Sequence, residues 1–122
     1  NIEINETDYD LFKFMKNLRY GGSWSPPNCK ARFKVALIIP YRNRLPNLNT
    51  FIINIHPFLQ RQDLDYTVFV SEQINDELFN KGILMNAAFI EINKINETKF
   101  DCFIYHDVDL IPKGKIHTIL LI

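Results

Sequence analysis

An α/β domain with a parallel sheet at its centre follows from three features of this 122-residue chain. Residues 34–40 and 65–70 are apolar and β-branched or aromatic almost throughout, as strands covered on both faces must be. A third such run begins at Phe100 and ends by delivering two carboxylates, Asp107 and Asp109. Between the runs, apolar residues recur at helical spacing. The order is therefore β-α-β-α-β, and right-handed crossovers make such a sheet parallel.

Taken in order, residues 1–20 alternate charge with Leu11, Phe12, Phe14, Met15 and Leu18, a pattern for a short amphipathic helix or packed arm. Gly21-Gly22-Ser23-Trp24-Ser25-Pro26-Pro27 reads as a loop, with Trp24 as its packing anchor. The strand at 34–40 is stopped by Pro40. Tyr41-Arg42-Asn43-Arg44 then emerges at the strand end, and a helix starts near Pro46-Asn47. That helix carries Leu48, Phe51, Ile52, Ile55, Phe58 and Leu59, and Pro57 is expected to bend or end it. After the strand at 65–70, Asn75 or Asp76 is the expected cap of a second helix holding Leu78, Ile83, Leu84, Ala87, Ala88, Ile92 and Ile95. The tail closes on Ile119-Leu120-Leu121-Ile122, an apolar end costly to leave in water, so the fold reads as incomplete at its C-terminus. Residue 1 is not Met and no signal peptide precedes it, so the start reads as processed, trimmed or incomplete.

Fourteen basic and fourteen acidic residues cancel. Such a balance leaves no electrostatic footprint for nucleic acid, and no block of like charge points to a membrane surface. The apolar runs are too short to cross a bilayer. Cys29 and Cys102 form neither a metal spacing nor a CxxC pair. They are open to pairing with each other, to pairing outside the chain, or to staying reduced. Asn5 and Asn96 each head an N-glycosylation acceptor, meaningful only in a secretory compartment.

Candidate chemistry collects at strand ends, where ligands sit in open α/β sheets. In extended chain Asp107 and Asp109 point the same way, a spacing suited to a hard divalent cation and the pyrophosphate it bridges. Arg42 and Arg44 leave the first strand, where a guanidinium can clamp a phosphate and the Tyr41 ring can stack on a base. Taken singly, the first pair is as well read as turn aspartates and the second as solvated arginines. Together they supply opposite halves of a diphosphate–metal site. By alternation His106 points away from the two aspartates and takes a packing or hydrogen-bonding role. His56 and His117 have no partner in sequence. Asn80 and Lys81 stand at the start of the second helix, an ordinary helix start or a place where an anion is met.

These residues fall in four blocks: Val35-Ala36-Leu37-Ile38-Ile39-Pro40-Tyr41-Arg42-Asn43-Arg44; His56-Pro57-Phe58-Leu59-Gln60-Arg61-Gln62 with Leu64-Asp65-Tyr66; Phe79-Asn80-Lys81-Gly82-Ile83-Leu84-Met85-Asn86; and Asp107-Val108-Asp109-Leu110-Ile111-Pro112. In that order they resemble the beta-1,4-galactosyltransferase family of Golgi glycosyltransferases, over about three quarters of the chain. The resemblance implies a GT-A type nucleotide-diphospho-sugar transferase fold, Rossmann-like, with residues 1–33 as arm and Gly/Pro loop and 34–122 as the donor-binding part. It implies a Mn²⁺-dependent, inverting transfer of galactose from UDP-galactose to terminal N-acetylglucosamine or a related xylose- or glucose-type acceptor. A UDP-GalNAc-using relative and a catalytically inactive UDP-sugar-binding or interaction fragment are the alternatives.

Carried over residue by residue, Pro40, Tyr41, Arg42 and Arg44 match the segment holding the uridine diphosphate, Tyr41 standing where Phe is common. Phe79 matches a donor-site aromatic, and Lys81 stands where the family often has Arg, keeping charge but not bidentate geometry. Asp107 and Val108 lie on the donor and Asp109 matches the metal ligand. The resemblance puts the acceptor site, the catalytic base and further metal ligands beyond the chain end, and the partners of both cysteines outside the chain. It makes the parent protein a type II membrane protein of the Golgi lumen.

Overall fold

The computed structural model describes Leu18, Arg19 and residues 21–95 and 99–112. The expected arm up to residue 17, the acceptors at Asn5 and Asn96, His117 and the tail from residue 113 lie outside the described residues. The elements run β1 (Ser23–Trp24), β2 (Lys34–Tyr41), α1 (Leu45–Gln60), β3 (Asp65–Glu72), α2 (Lys81–Ile95) and β4 (Cys102–Tyr105). They form a four-stranded sheet of order β1-β3-β2-β4. Both β3 and β4 run parallel to β2, with Lys34 opposite Asp65 and Val35 opposite Cys102.

The expected β-α-β-α-β series is present, and the sheet adds one strand to it. Ser23 and Trp24, expected in a loop, pair antiparallel with Thr67 and Tyr66. Pairing covers the outer edge of β3, whose amides and carbonyls would otherwise stay open. Ser23 and Thr67 hydroxyls bond at 2.8 Å, and Trp24 is buried with its ring 6.0 Å from that of Tyr66.

Strand β2 is buried from Val35 to Tyr41 because both faces are covered. Val35, Leu37 and Ile39 meet Phe51, Ile55 and Leu59 of α1, together with Tyr66 and Trp24. Because the chain moves from β2 to β3 and then back across β2 to β4, right-handed crossovers place α1 and α2 on opposite faces. On α2 the contacts are with β2 and β3, and Leu84 and Ile92 are buried. An edge-to-face series of rings, Phe69, Phe100, Phe103 and Phe89, with centroids 4.7–6.0 Å apart, continues the packing beyond them.

Two helix expectations need correction. Pro57 does not end α1, which continues through it to Gln60. Pro57 forfeits one amide donor, but its own carbonyl accepts from Arg61 at 3.1 Å and its ring is buried, so the last turn survives. The second helix is capped by Asn80 rather than Asn75 or Asp76. Asn80 Oδ1 accepts from the Ile83 amide at 3.0 Å, a cap geometry the earlier residues do not share. Leu78 consequently lies in the preceding loop, 93% exposed, and Ile83 and Ile95 of α2 are exposed too.

The sequence left His56 without a partner, and the fold supplies one. Its Nδ1 and the Tyr66 hydroxyl share a 2.7 Å hydrogen bond, and that hydroxyl accepts from Gln60 Nε2 at 3.4 Å. Burial lowers the imidazole pKa from 6.5 to about 4 and pushes the Tyr66 phenol well above its usual range.

Two expectations follow. In urea unfolding, Phe51→Ala should lose about 3–5 kcal/mol as a filled core position is emptied, while Leu78→Ala should stay within about 0.5 kcal/mol. Equal effects at the two sites would contradict this core. For His56, both folded and unfolded chains are neutral above pH 6.5. Between 6.5 and about 4 only the unfolded chain gains the proton, so stability should fall as pH drops through that window, by up to about 3 kcal/mol. Unfolding measured across pH 4–7 should show a shallower fall in His56→Gln than in the wild type.

Candidate functional site

The strand ends fix the site. Alternation along β2 directs Lys34 and Ile38 towards β4: the Asp101 amide donates to Lys34 O and the His106 amide to Ile38 O, at 2.8 and 3.0 Å. Pro40, two residues further, therefore faces β4 with the amide that proline lacks. Pairing with β4 stops at Ile38 opposite Tyr105, and the two chains separate there. On the other edge, Tyr41 O still accepts from the Gln73 amide at 3.0 Å. A cleft thus opens beyond the carboxyl ends of β2 and β4, with the segment that leads from β3 into α2 as its third wall.

That cleft, of about 330 Å³, is lined by Pro40, Arg42, Arg44, Phe79, Lys81, Asp107, Val108 and Asp109. The fold brings together every candidate binding residue among those described except Tyr41. The Tyr41 side chain is buried and does not line the cleft. Asn43 takes a left-handed φ of +48°, which Asn tolerates better than most residues, in the sharp turn that separates Arg42 from Arg44.

Arg42 is already engaged. One of its Nη atoms donates to the carbonyls of Asn75 and Glu77, at 3.1 and 2.5 Å, and the guanidinium lies 5.6 Å from the centre of the Phe79 ring. It shapes the cleft wall as well as charging it. Gln73, which sequence reasoning missed, organises the same loop. Its Nε2 donates to Asn75 Oδ1, Glu77 O and Leu78 O, and its Oε1 accepts from the Asn80 amide at 2.9 Å. Fixing Asn80 fixes the start of α2, and with it Phe79 and Lys81. The available signal was position: Gln73 directly follows β3, at the sheet end where ligands sit.

Asp107 and Asp109 share the cleft, but not by strand alternation. Residues after Tyr105 leave the strand, and a turn closes with the Leu110 amide on Asp107 O at 3.3 Å. Asp107 Oδ1 lies 2.5 Å from Lys81 Nζ. His106 turns from the cleft, its ring 5.1 Å from Phe51 and its Nδ1 donating to Asp107 O at 2.7 Å. Among the described residues no three His, Cys, Asp or Glu side chains cluster as a closed metal site. Two carboxylates beside three basic side chains instead fit the open mode, in which one or two carboxylates and a substrate's phosphates share a hard cation. Cys29 and Cys102 are free thiols, and burial, with Asp101 nearby, raises the pKa of Cys102.

Residues 2–119 match the N-terminal region of glycosyl transferase group 7. The chain belongs to that family. Human beta-1,4-galactosyltransferase 6 is 38% identical over 93% of this chain, and beta-1,4-galactosyltransferase 4 of Cricetulus griseus 45% identical over 80%. A beta-1,4-N-acetylglucosaminyl-transferase of Lymnaea stagnalis is 45% identical over 88%. The chain spans 22–30% of the length of these relatives. Among solved structures, a Drosophila beta-1,4-galactosyltransferase 7 mutant in complex with manganese, UDP-Gal and xylobiose superposes with a TM-score of 0.61. It is 32% identical, and the match covers 68% of this chain and 33% of that one. The GT-A type fold expected from the sequence is therefore the fold this group 7 chain adopts.

If Gln73 organises the loop, Gln73→Leu should speed amide hydrogen exchange at Asn80 and leave the β2 amides protected. Unchanged exchange at Asn80 would remove Gln73 from this role.

Proposed function

We propose that this chain is the donor-binding part of a Mn²⁺-dependent galactosyltransferase, in which galactose passes from UDP-galactose to a terminal N-acetylglucosamine or xylose- or glucose-type acceptor. The supporting observation is the cleft itself: Arg42, Arg44 and Lys81 meet Asp107 and Asp109 beyond the carboxyl ends of the parallel strands. The Drosophila neighbour, with manganese, UDP-Gal and xylobiose, supports the same assignment of donor, cation and glycan acceptor.

Each residue then has a task. Asp109, with Asp107 beside it, would hold the cation. Arg44 and Lys81 would draw the diphosphate, with Arg42 contributing charge from its fixed place under Phe79. Pro40 and Val108 form the apolar wall that limits water near the phosphates. Bound there, the cation would supply Lewis-acid neutralisation of the departing diphosphate. Neutralisation held ready in the site stabilises charge developing on the leaving group without rearrangement during reaction.

Family membership also favours a membrane-anchored parent in the Golgi lumen. Among the described residues no helix is long and apolar enough to cross a membrane. The Lymnaea relative, named for N-acetylglucosaminyl transfer, favours UDP-GlcNAc as a second donor to test.

The direct test is the thermal midpoint with Mn²⁺ and UDP-galactose together, against each alone, with UDP-GlcNAc and UDP-GalNAc in parallel. A ligand that binds only the folded chain raises the midpoint by mass action; at a hundredfold excess over Kd the gain is about 2.7 kcal/mol. The rise should need both components and vanish in Asp109→Ala. No rise with any UDP-sugar, from a chain that melts cooperatively, would sink the proposal.

A further inference from the structure

The Lys81–Asp107 pair sets two of the cleft's binding groups against each other. Lys81 is a candidate for the diphosphate and Asp107 neighbours the candidate cation ligand, yet in the free chain each occupies the other at 2.5 Å. Both side chains are partly exposed, at 48% and 36%, so the pair can open without disturbing the core. Arg42 cannot take Lys81's part freely, because it is bonded to Asn75 O and Glu77 O and held at the Phe79 ring. Arg44 lines the cleft as well, but Lys81, on a flexible four-carbon stem at the first position of α2, is the cleft cation paired with Asp107 and able to change partners.

We infer that this pair is an exchange switch coupling the divalent cation to the nucleotide diphosphate. The inference rests on the donor-site reading above and adds an order of interaction to it. A cation arriving alone meets an Asp107 already neutralised and the positive charge of Lys81 beside it. A diphosphate arriving alone draws Lys81 away and leaves Asp107 unpaired next to Asp109. When both arrive, Lys81 moves to the phosphate and Asp107 turns to the cation, so the pair is broken once for two gains. Each ligand therefore strengthens the other through the protein, in addition to any direct bond between them. By linkage the factor is the same in both directions. Lysine suits such an exchange because one rotating ammonium can pass between two acceptors. An arginine at this position would hold a carboxylate through two bonds.

The test uses binding alone. Free Mn²⁺ is counted by its paramagnetic resonance signal and UDP binding is followed by calorimetry, each with and without the other, in wild type, Lys81→Met, Asp107→Asn and Lys81→Arg. All four chains are first required to melt at a similar temperature, as substitutions of exposed groups should allow. In Lys81→Met, Mn²⁺ alone should bind roughly fivefold or more tightly than in wild type, and the strengthening by UDP should shrink by at least that factor. In Asp107→Asn, UDP alone should bind more tightly, because Lys81 is released to it. Lys81→Arg should restore the coupling in part. Weaker or unchanged Mn²⁺ binding in Lys81→Met, or coupling equal to wild type in both neutral variants, overturns the switch while leaving the donor site intact. A wild-type chain that binds neither Mn²⁺ with UDP nor UDP with Mn²⁺ overturns the donor-site reading itself.

Discussion

Strand β2 is paired along both edges and covered on both faces, and the position of the cleft depends on that arrangement. Once β3 takes one edge and β4 the other, the two crossover helices must lie on opposite faces, and the segments that leave β2 and β3 diverge. Pro40 adds the local step. It does not stop the strand, which runs on to Tyr41 along β3, but with no amide to offer on the β4 side it stands in the gap that opens after Ile38. The carboxyl ends of the two strands then carry opposite charge, arginines after β2 and aspartates after β4, across one opening of about 330 Å³.

The third wall shows how much of a binding site can be backbone management. Loop residues 74–80 have no regular ladder, and their carbonyls and amides are collected by two side chains, Gln73 and Arg42. Through them the end of β3 positions the start of α2, and the start of α2 presents Phe79 and Lys81. A change at Gln73 would therefore act on the cleft without touching it. Below the cleft, His106 joins site to core: its ring meets Phe51 of α1 and its Nδ1 holds the Asp107 carbonyl.

Much of this was legible because it rests on short-range pattern. The three parallel strands announce themselves as apolar runs, and α1 as a helical repeat whose Phe51, Ile55 and Leu59 do face the core. Arg42, Arg44, Asp107 and Asp109 could be read as strand-end residues from position alone. What escaped depends on contacts distant in sequence. The pairing of Ser23–Trp24 needs the free edge of β3, which no local pattern reveals. Asn75 and Asp76 read as the cap, and the contact of the Gln73 side chain with the Asn80 amide, which places Asn80 there instead, is not a local pattern. Pro57 looked like a stop, and burial of its ring outweighed one missing amide bond. The two aspartates met in the cleft as expected, though through a turn rather than along an extended chain.

The central claim is that one cleft, at the ends of β2 and β4, takes a divalent cation together with a nucleotide diphosphate. Paramagnetic broadening by Mn²⁺ in the amide spectrum of the isotopically labelled chain locates that cation directly. With UDP present, substoichiometric Mn²⁺ should broaden the amides of Val108, Asp109 and Leu110 first, then those of Arg42 to Arg44 and Lys81. The amides of Ser23, Trp24 and the far end of α1 should stay sharp. Broadening centred elsewhere, or spread evenly over the chain, would contradict the account.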